Sequence, residues 1–209
     1  MAALNVKPTR MELSNLKKKR KVAVRGHKLM KDKRDEMVRR FIVYVRRNRA
    51  LREEVEQKLA AAMQGFVLAR ASMRAEAVEE ALCYPARPAE IKVSAQHVLS
   101  VVVPKLELVS VGNVELPYGI VGTSAELDAA VQAFAELLPL LIELAEVEKT
   151  CNRLADEIEK TRRRVNALEY VMIPQFDEAI RTIKMKLDEN ERGNLTRLMK
   201  TKDMLAQKQ

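Results

Sequence analysis

The chain has no Trp, 4 Phe, 4 Tyr, 2 Cys, 2 His and 6 Gly in 209 residues. Each scarcity excludes something. With aromatics at 4%, there is little ring bulk to fill a wide globular core. Cys83 and Cys151 have no ligand spacing and read as reduced thiols on helix faces. His27 and His97 have no companions for a metal site, and no Cys/His or Ser/His/Asp set suggests a nucleophile. Neither GxxxxGK[ST] nor GxGxxG occurs, so no glycine-rich loop is present to cradle a phosphate. Carboxylate pairs such as Glu53 and Glu54 read as helix surface charges. The expectation is a non-catalytic chain without cofactor or metal. No apolar run reaches the roughly 18 residues of a membrane span, and the N-terminus is polar and basic without an apolar signal core. A cytoplasmic protein follows as an expectation, one at most peripheral to a membrane.

What is abundant is charge, at 32%, beside 47% apolar residues set at regular intervals. From Thr123 to about Leu205, apolar residues return in steps of three and four: Leu144, Val147, Cys151, Leu154, Ile158, Thr161, Val165, Leu168, Met172. This is a narrow a/d seam flanked by charge, the pattern of a coiled coil. Thr123 and Glu126 have the spacing of a capping box at its start. Pro139 and Pro174 interrupt the pattern, and after Pro174 the seam resumes in shifted phase through Ile173, Phe176, Ile180, Ile183 and Leu187. Roughly 80 residues at about 1.5 Å each would make a helix of about 120 Å. A stripe so narrow needs a second helix.

That second helix is legible at the other end. Pro8 suits a first helical turn, and the same spacing runs through Leu13, Leu16, Arg20, Ala23, His27, Met30, Arg34, Met37, Phe41, Tyr44, Asn48, Leu51 and Val55. It then slips by one residue, a stutter, to Leu59, Ala62, Phe66, Ala69 and Met73. No Pro interrupts residues 9–84, so the spacing predicts one helix ending near Tyr84. The polar seam residues Arg20, Arg34 and Asn48 lower stability but define a register.

The middle differs. Four of the 7 Pro and three of the 6 Gly fall between residues 85 and 122, among β-branched runs at 91–93, 98–103 and 106–111. A small β-hairpin or three-stranded element is predicted there, with Gly112-Asn113 as a turn candidate. The predicted organisation is mainly α: a long antiparallel two-helix coiled coil from segments 1–84 and 123–209, around a small β-containing segment at 85–122. Placing Cys83 level with Thr123 sets His27 beside Ala179 and Ile180.

Charge is uneven. Residues 1–50 hold 17 Lys and Arg against 4 Asp and Glu, a net +13, whereas the rest, with 21 against 25, carries −4. Such a basic end suits an acidic protein surface, nucleic acid or anionic lipid. No aromatic residues interleave with Lys17, Lys18, Lys19, Arg20 and Lys21, which weighs against nucleic acid. Their spread around the helix weighs against lipid. Arg162, Arg163 and Arg164 span too wide an angle to share one buried face, so at least one of them meets solvent or a partner.

Several blocks resemble a known family. Pro8-Thr9-Arg10 with Leu13, and the run Arg25-Gly26-His27-Lys28-Leu29-Met30-Lys31-Asp32-Lys33-Arg34-Asp35, resemble the N-terminal signature of the D subunits of V-type ATPases, in their bacterial form. The run from Glu157 to Glu169, Ile173-Pro174, Glu189-Asn190-Glu191-Arg192 and Arg197-Leu198 resemble the C-terminal half of those proteins, in the same order. The resemblance implies a central-stalk rotor. Its coil would enter a ring of alternating catalytic and non-catalytic subunits, with the small F subunit alongside. A funnel-shaped connector would join the stalk to the membrane rotor ring. Nucleotide sites would belong to the ring, with no nucleic acid and no direct membrane insertion by this chain. Lys17, Lys18, Lys19, Lys21 and Arg25, with Arg162, Arg163 and Arg164, are then candidates to face acidic groups on that ring. A coiled-coil scaffold or nucleic-acid-binding protein is the competing reading.

Overall fold

The computed structural model describes residues 7–83, 89–109, 116, 118–119 and 122–206. The elements in chain order are α1 (Arg10–Ser72), α2 (Ala75–Cys83), β1 (Ile91–Val98), β2 (Val101–Leu108), α3 (Ala125–Ala167), a π-helical turn (Leu168–Met172) and α4 (Ile173–Ala206). Packing divides the chain into two units, one of residues 37–157 and one built from residues 1–36 with 158–209. The fold is thus mainly helical, with long N- and C-terminal helical segments and a small antiparallel hairpin between them in sequence.

The seam explains why these helices form. Leu16, Met37, Val55, Ala62 and Ala69 of α1 are buried, as are Leu137, Val147, Cys151, Leu154, Thr161 and Val165 of α3. Most residues between them face water. Neither stripe is wide enough to stabilise a helix alone, so most of the helical stability comes from burial against the other. In unit 37–157 the order is antiparallel: a Cβ on Gly65 would lie 3.9 Å from that of Ala130, while Asn48 hydrogen-bonds Cys151. In the other unit the sense is the same, because Arg20 pairs with Asp177 and His27 with Glu169.

Several sequence expectations need correction. The first helix stops at Ser72 rather than near Tyr84; a bend at Met73 and Arg74 starts the separate helix α2. Its Val78 and Ala81 are buried, and Ala81 joins Ala69 and Leu127 in a core that Phe66, Met73, Tyr118 and Val131 flank. Folding α2 back shortens the first arm, so the register shifts. His27 lies 3.3 Å from Glu169 instead of beside Ala179, a displacement of about ten residues or roughly three turns. Pro8 lies just outside α1, where Thr9 Oγ1 accepts from the Glu12 backbone N–H at 3.2 Å as the N-cap. The capping box at Thr123 does not form. Its hydroxyl donates to the Gly119 carbonyl at 3.0 Å, and the helix begins one residue further on, with the Leu127 N–H donating to the Ser124 carbonyl.

The shifted phase after Pro174 has a structural cause. Proline has no N–H to donate, and the turn before it widens to π, with the Ile173 N–H reaching the Leu168 carbonyl. The extra residue rotates the following seam, so Ile183 of α4 is buried while Met172 is turned out. Pro139 sits on the exposed side of α3, facing water.

The hairpin pairs Ile91 with Leu108 through Val98 with Val101. Its turn falls at Leu99 and Ser100, inside an apolar run, with φ of 49° and 71°. Both values are left-handed, as a two-residue type I′ turn requires, though neither residue is Gly or Asn. Val98, Val101 and Val103 are buried and hold it in place. On α3, Glu146 Oε2 accepts the Leu106 N–H at 2.8 Å and so satisfies an outward-facing group of β2. The turn candidate at Gly112-Asn113 lies outside the described residues.

Three outcomes follow from this packing. Leu154→Ala, at a fully buried seam position, should cost about 2–5 kcal/mol of stability in chemical denaturation. Ser100→Gly should stabilise by roughly 0.5–1 kcal/mol, because glycine accepts positive φ without the Cβ clash. Tyr118 donates to Asp128 at 2.8 Å, and burial together with that carboxylate pushes its phenol up to about 12. A raised folded value means that its contribution is full below the ordinary value near 10 and is lost as pH rises toward 12. Ultraviolet titration should therefore show one tyrosine ionising last, and Asp128→Asn should bring it down.

Candidate partner-binding surface

Lys17, Lys18, Lys19, Lys21 and Arg25 occupy two turns of α1, and the four lysines are exposed. Lys17, Lys21 and Arg25 recur every four residues and share a face, while Lys18 and Lys19 flank the apolar residues Val22 and Ala23. Several other cations of α1 are matched internally. Arg20 Nε lies 2.5 Å from Asp177, Arg34 holds Asp35 at 2.7 Å, and Arg47 and Arg52 pair with Glu143 and Glu148 of α3. Among the described residues, none of the five forms an ion pair. Exposed pairs add at most about 1 kcal/mol each to stability, so the significance of this contrast is in charge left over. The five cations lie within ion-pair distance of no carboxylate among the described residues.

Arg162, Arg163 and Arg164 are also exposed, and Arg163 pairs with Glu159 one turn away. By the observed register they stand level with residues about 32–34 of α1. They therefore form a second patch, on the order of 10–25 Å along the helix from the lysines. The two candidate groups belong to one unit but not to one cluster.

Sequence reasoning missed what lies between the lysines and the opposite helical segment. Lys18, Lys19, Val22, Ala23 and Gly26 of α1 face Leu168, Met172 and Phe176 across an open, almost wholly apolar groove of about 470 Å³. Val22 is 67% exposed and Met172 42%, so its walls are wet in this chain. Two features form it. The π turn swings Met172 off the seam. Gly26 leaves helix backbone bare, and a Cβ built there meets no atom within 4 Å. No tight internal packing requires this glycine, yet in a helix interior it costs about 1 kcal/mol relative to alanine. A mid-helix glycine next to a lysine run was the available signal.

Among the described residues no group of three His, Cys, Asp or Glu could hold a metal. Burial, the largest influence, raises the Cys151 thiol above its ordinary value, only partly opposed by its hydrogen bond with Asn48; that is the opposite of an activated nucleophile. No described helix is long and apolar enough to cross a membrane.

Comparison with known proteins identifies the family. The family model that describes the D subunit of ATP synthase matches residues 12–203. The V-type ATP synthase D subunit of Thermoanaerobacter sp. (strain X514) is 54% identical over 206 residues, covering 98% of this chain and 99% of that protein. Its counterpart in Clostridium novyi (strain NT) is 54% identical over 213 residues, with 100% and 99% covered. That of Clostridium botulinum (strain Langeland) is 53% identical over 210 residues, with 99% and 97% covered. With a match spanning both helical arms and the hairpin between them, this chain belongs to the family of ATP synthase D subunits, in its V-type branch.

Proposed function

We propose that this chain is the central-stalk rotor of a rotary V-type ATPase. It is a non-catalytic axle that couples ATP hydrolysis or synthesis in the catalytic ring to ion translocation through the membrane sector. The observation that carries the reading is the family match over residues 12–203, on a chain whose helical arms each bury a narrow apolar seam. Two helices sharing a seam resist bending and twisting better than one. Because the arms differ in sequence and charge, each side of the pair presents a different surface, as a single axle inside a symmetric ring requires.

The partners in this reading are the catalytic and non-catalytic ring subunits, the small F subunit of the stalk, and a funnel-shaped connector to the membrane rotor ring. The chain is cytoplasmic and peripheral to the membrane through that assembly, and needs no cofactor of its own. Lys17, Lys18, Lys19, Lys21 and Arg25 face acidic groups on the ring, and Arg162, Arg163 and Arg164 add a second cationic grip. Charged side chains in water suit a moving bearing, since they attract over a Debye length of about 8 Å without locking one rotational position.

Reconstitution tests the proposal. Ring subunits assembled with this chain should turn over ATP in register with rotation of a bead attached to it; a ring that neither binds the chain nor turns it would refute the axle. Replacing Lys17, Lys18, Lys19 and Lys21 by Gln should slow association with the ring by about ten- to a hundredfold at low salt. The variant should also respond less to added salt than the unaltered chain.

A further inference from the structure

The groove beside Lys18 and Lys19 has an unfilled apolar floor, a charged lip and a bare stretch of helix backbone. Val22, Ala23, Leu168, Met172 and Phe176 supply the floor, and Gly26 opens it. Two carboxylates adjacent in sequence to the floor residues, Glu169 and Asp177, are held by His27 and Arg20. The lip is therefore cationic: Lys18 and Lys19 on the groove itself, with Lys17, Lys21 and Arg25 around the same two turns and unmatched among the described residues.

We propose that this groove seats one bulky apolar side chain, carried on an acidic segment of a ring subunit. The apolar knob enters above Gly26, where the missing Cβ lets it approach the α1 backbone. Carboxylates beside it on the same segment meet Lys18 and Lys19. Charge alone gives a bearing without position. A knob in a shaped recess adds a preferred angular setting, and a recess open to solvent lets the knob leave again. The proposal rests on the axle reading, because it takes its partner from the ring, and it adds a specific contact to the diffuse attraction proposed above.

The test uses the full chain and ring subunits assembled without it, with binding followed by titration across a salt series. Gly26→Met fills the recess and leaves every charge in place. Since a Cβ there meets no atom within 4 Å, the variant should fold with a melting temperature at or above that of the unaltered chain. It should bind the ring at least about tenfold more weakly, the loss of roughly 1.4 kcal/mol of contact, with an unchanged salt slope. Val22→Ser, at an already exposed position, should weaken binding in the same direction. Lys18→Gln with Lys19→Gln should instead flatten the salt slope. If Gly26→Met and Val22→Ser bind as well as the unaltered chain while the lysine variant does not, the recess is not a seat and the axle reading stands. If the unaltered chain does not bind the ring at all, both fail. Sedimentation of the chain alone covers the remaining occupant: a dimer that Gly26→Met dissolves would show a second copy in the groove and overturn the proposal.

Discussion

A narrow apolar seam shared by distant stretches of chain is the constraint from which the rest of this structure follows. Each stripe is one or two residues wide per turn, too little to hold a long helix in water. Once buried, Met37, Leu137, Leu154 and Val165 lose nearly all contact with solvent. Three polar groups in or beside the seam have partners on the opposite arm: Asn48 bonds Cys151, Arg20 reaches Asp177, and His27 reaches Glu169. Such pairs contribute little energy individually. They make other alignments worse, since a slip of one turn would leave each without its partner.

Charge occupies the faces that the seam does not use. With the apolar stripe turned toward the partner arm, the remaining faces are free to carry charge. The charge is arranged by side and level, with internal pairs along much of α1 and, among the described residues, unmatched lysines near its beginning. At the groove beside Gly26 the close packing of the coil is relaxed, through a glycine in one arm and a π turn in the other.

Much of this is legible in the sequence because coiled coils write their contacts as a period. Most residues assigned to the seam from spacing alone are buried or half-buried, and the phase shift after Pro174 shows in the spacing without knowledge of its π turn. What is not legible depends on local breaks without a proline or glycine to announce them. The bend at Met73-Arg74 interrupts a helical pattern by tertiary packing of α2 on Ala69 and Leu127, and overlooking it displaces the register. The hairpin turn at Leu99-Ser100 is hidden for the same reason, since its left-handed residues are ones that rarely adopt such angles. The lysines are visible as charges; the recess between them needs both arms in place.

The segregation of charge between the arms bears on how the chain comes to be made. During synthesis α1 is complete before α3 exists, so its naked stripe is exposed among other nascent copies of the same protein. Like-charged arms repel: residues 1–50 carry a net +13, and the later chain, at −4, carries the opposite sign. The early arm is thus discouraged from pairing with its twin on a neighbouring ribosome and left available for the stretch of its own polypeptide still to emerge.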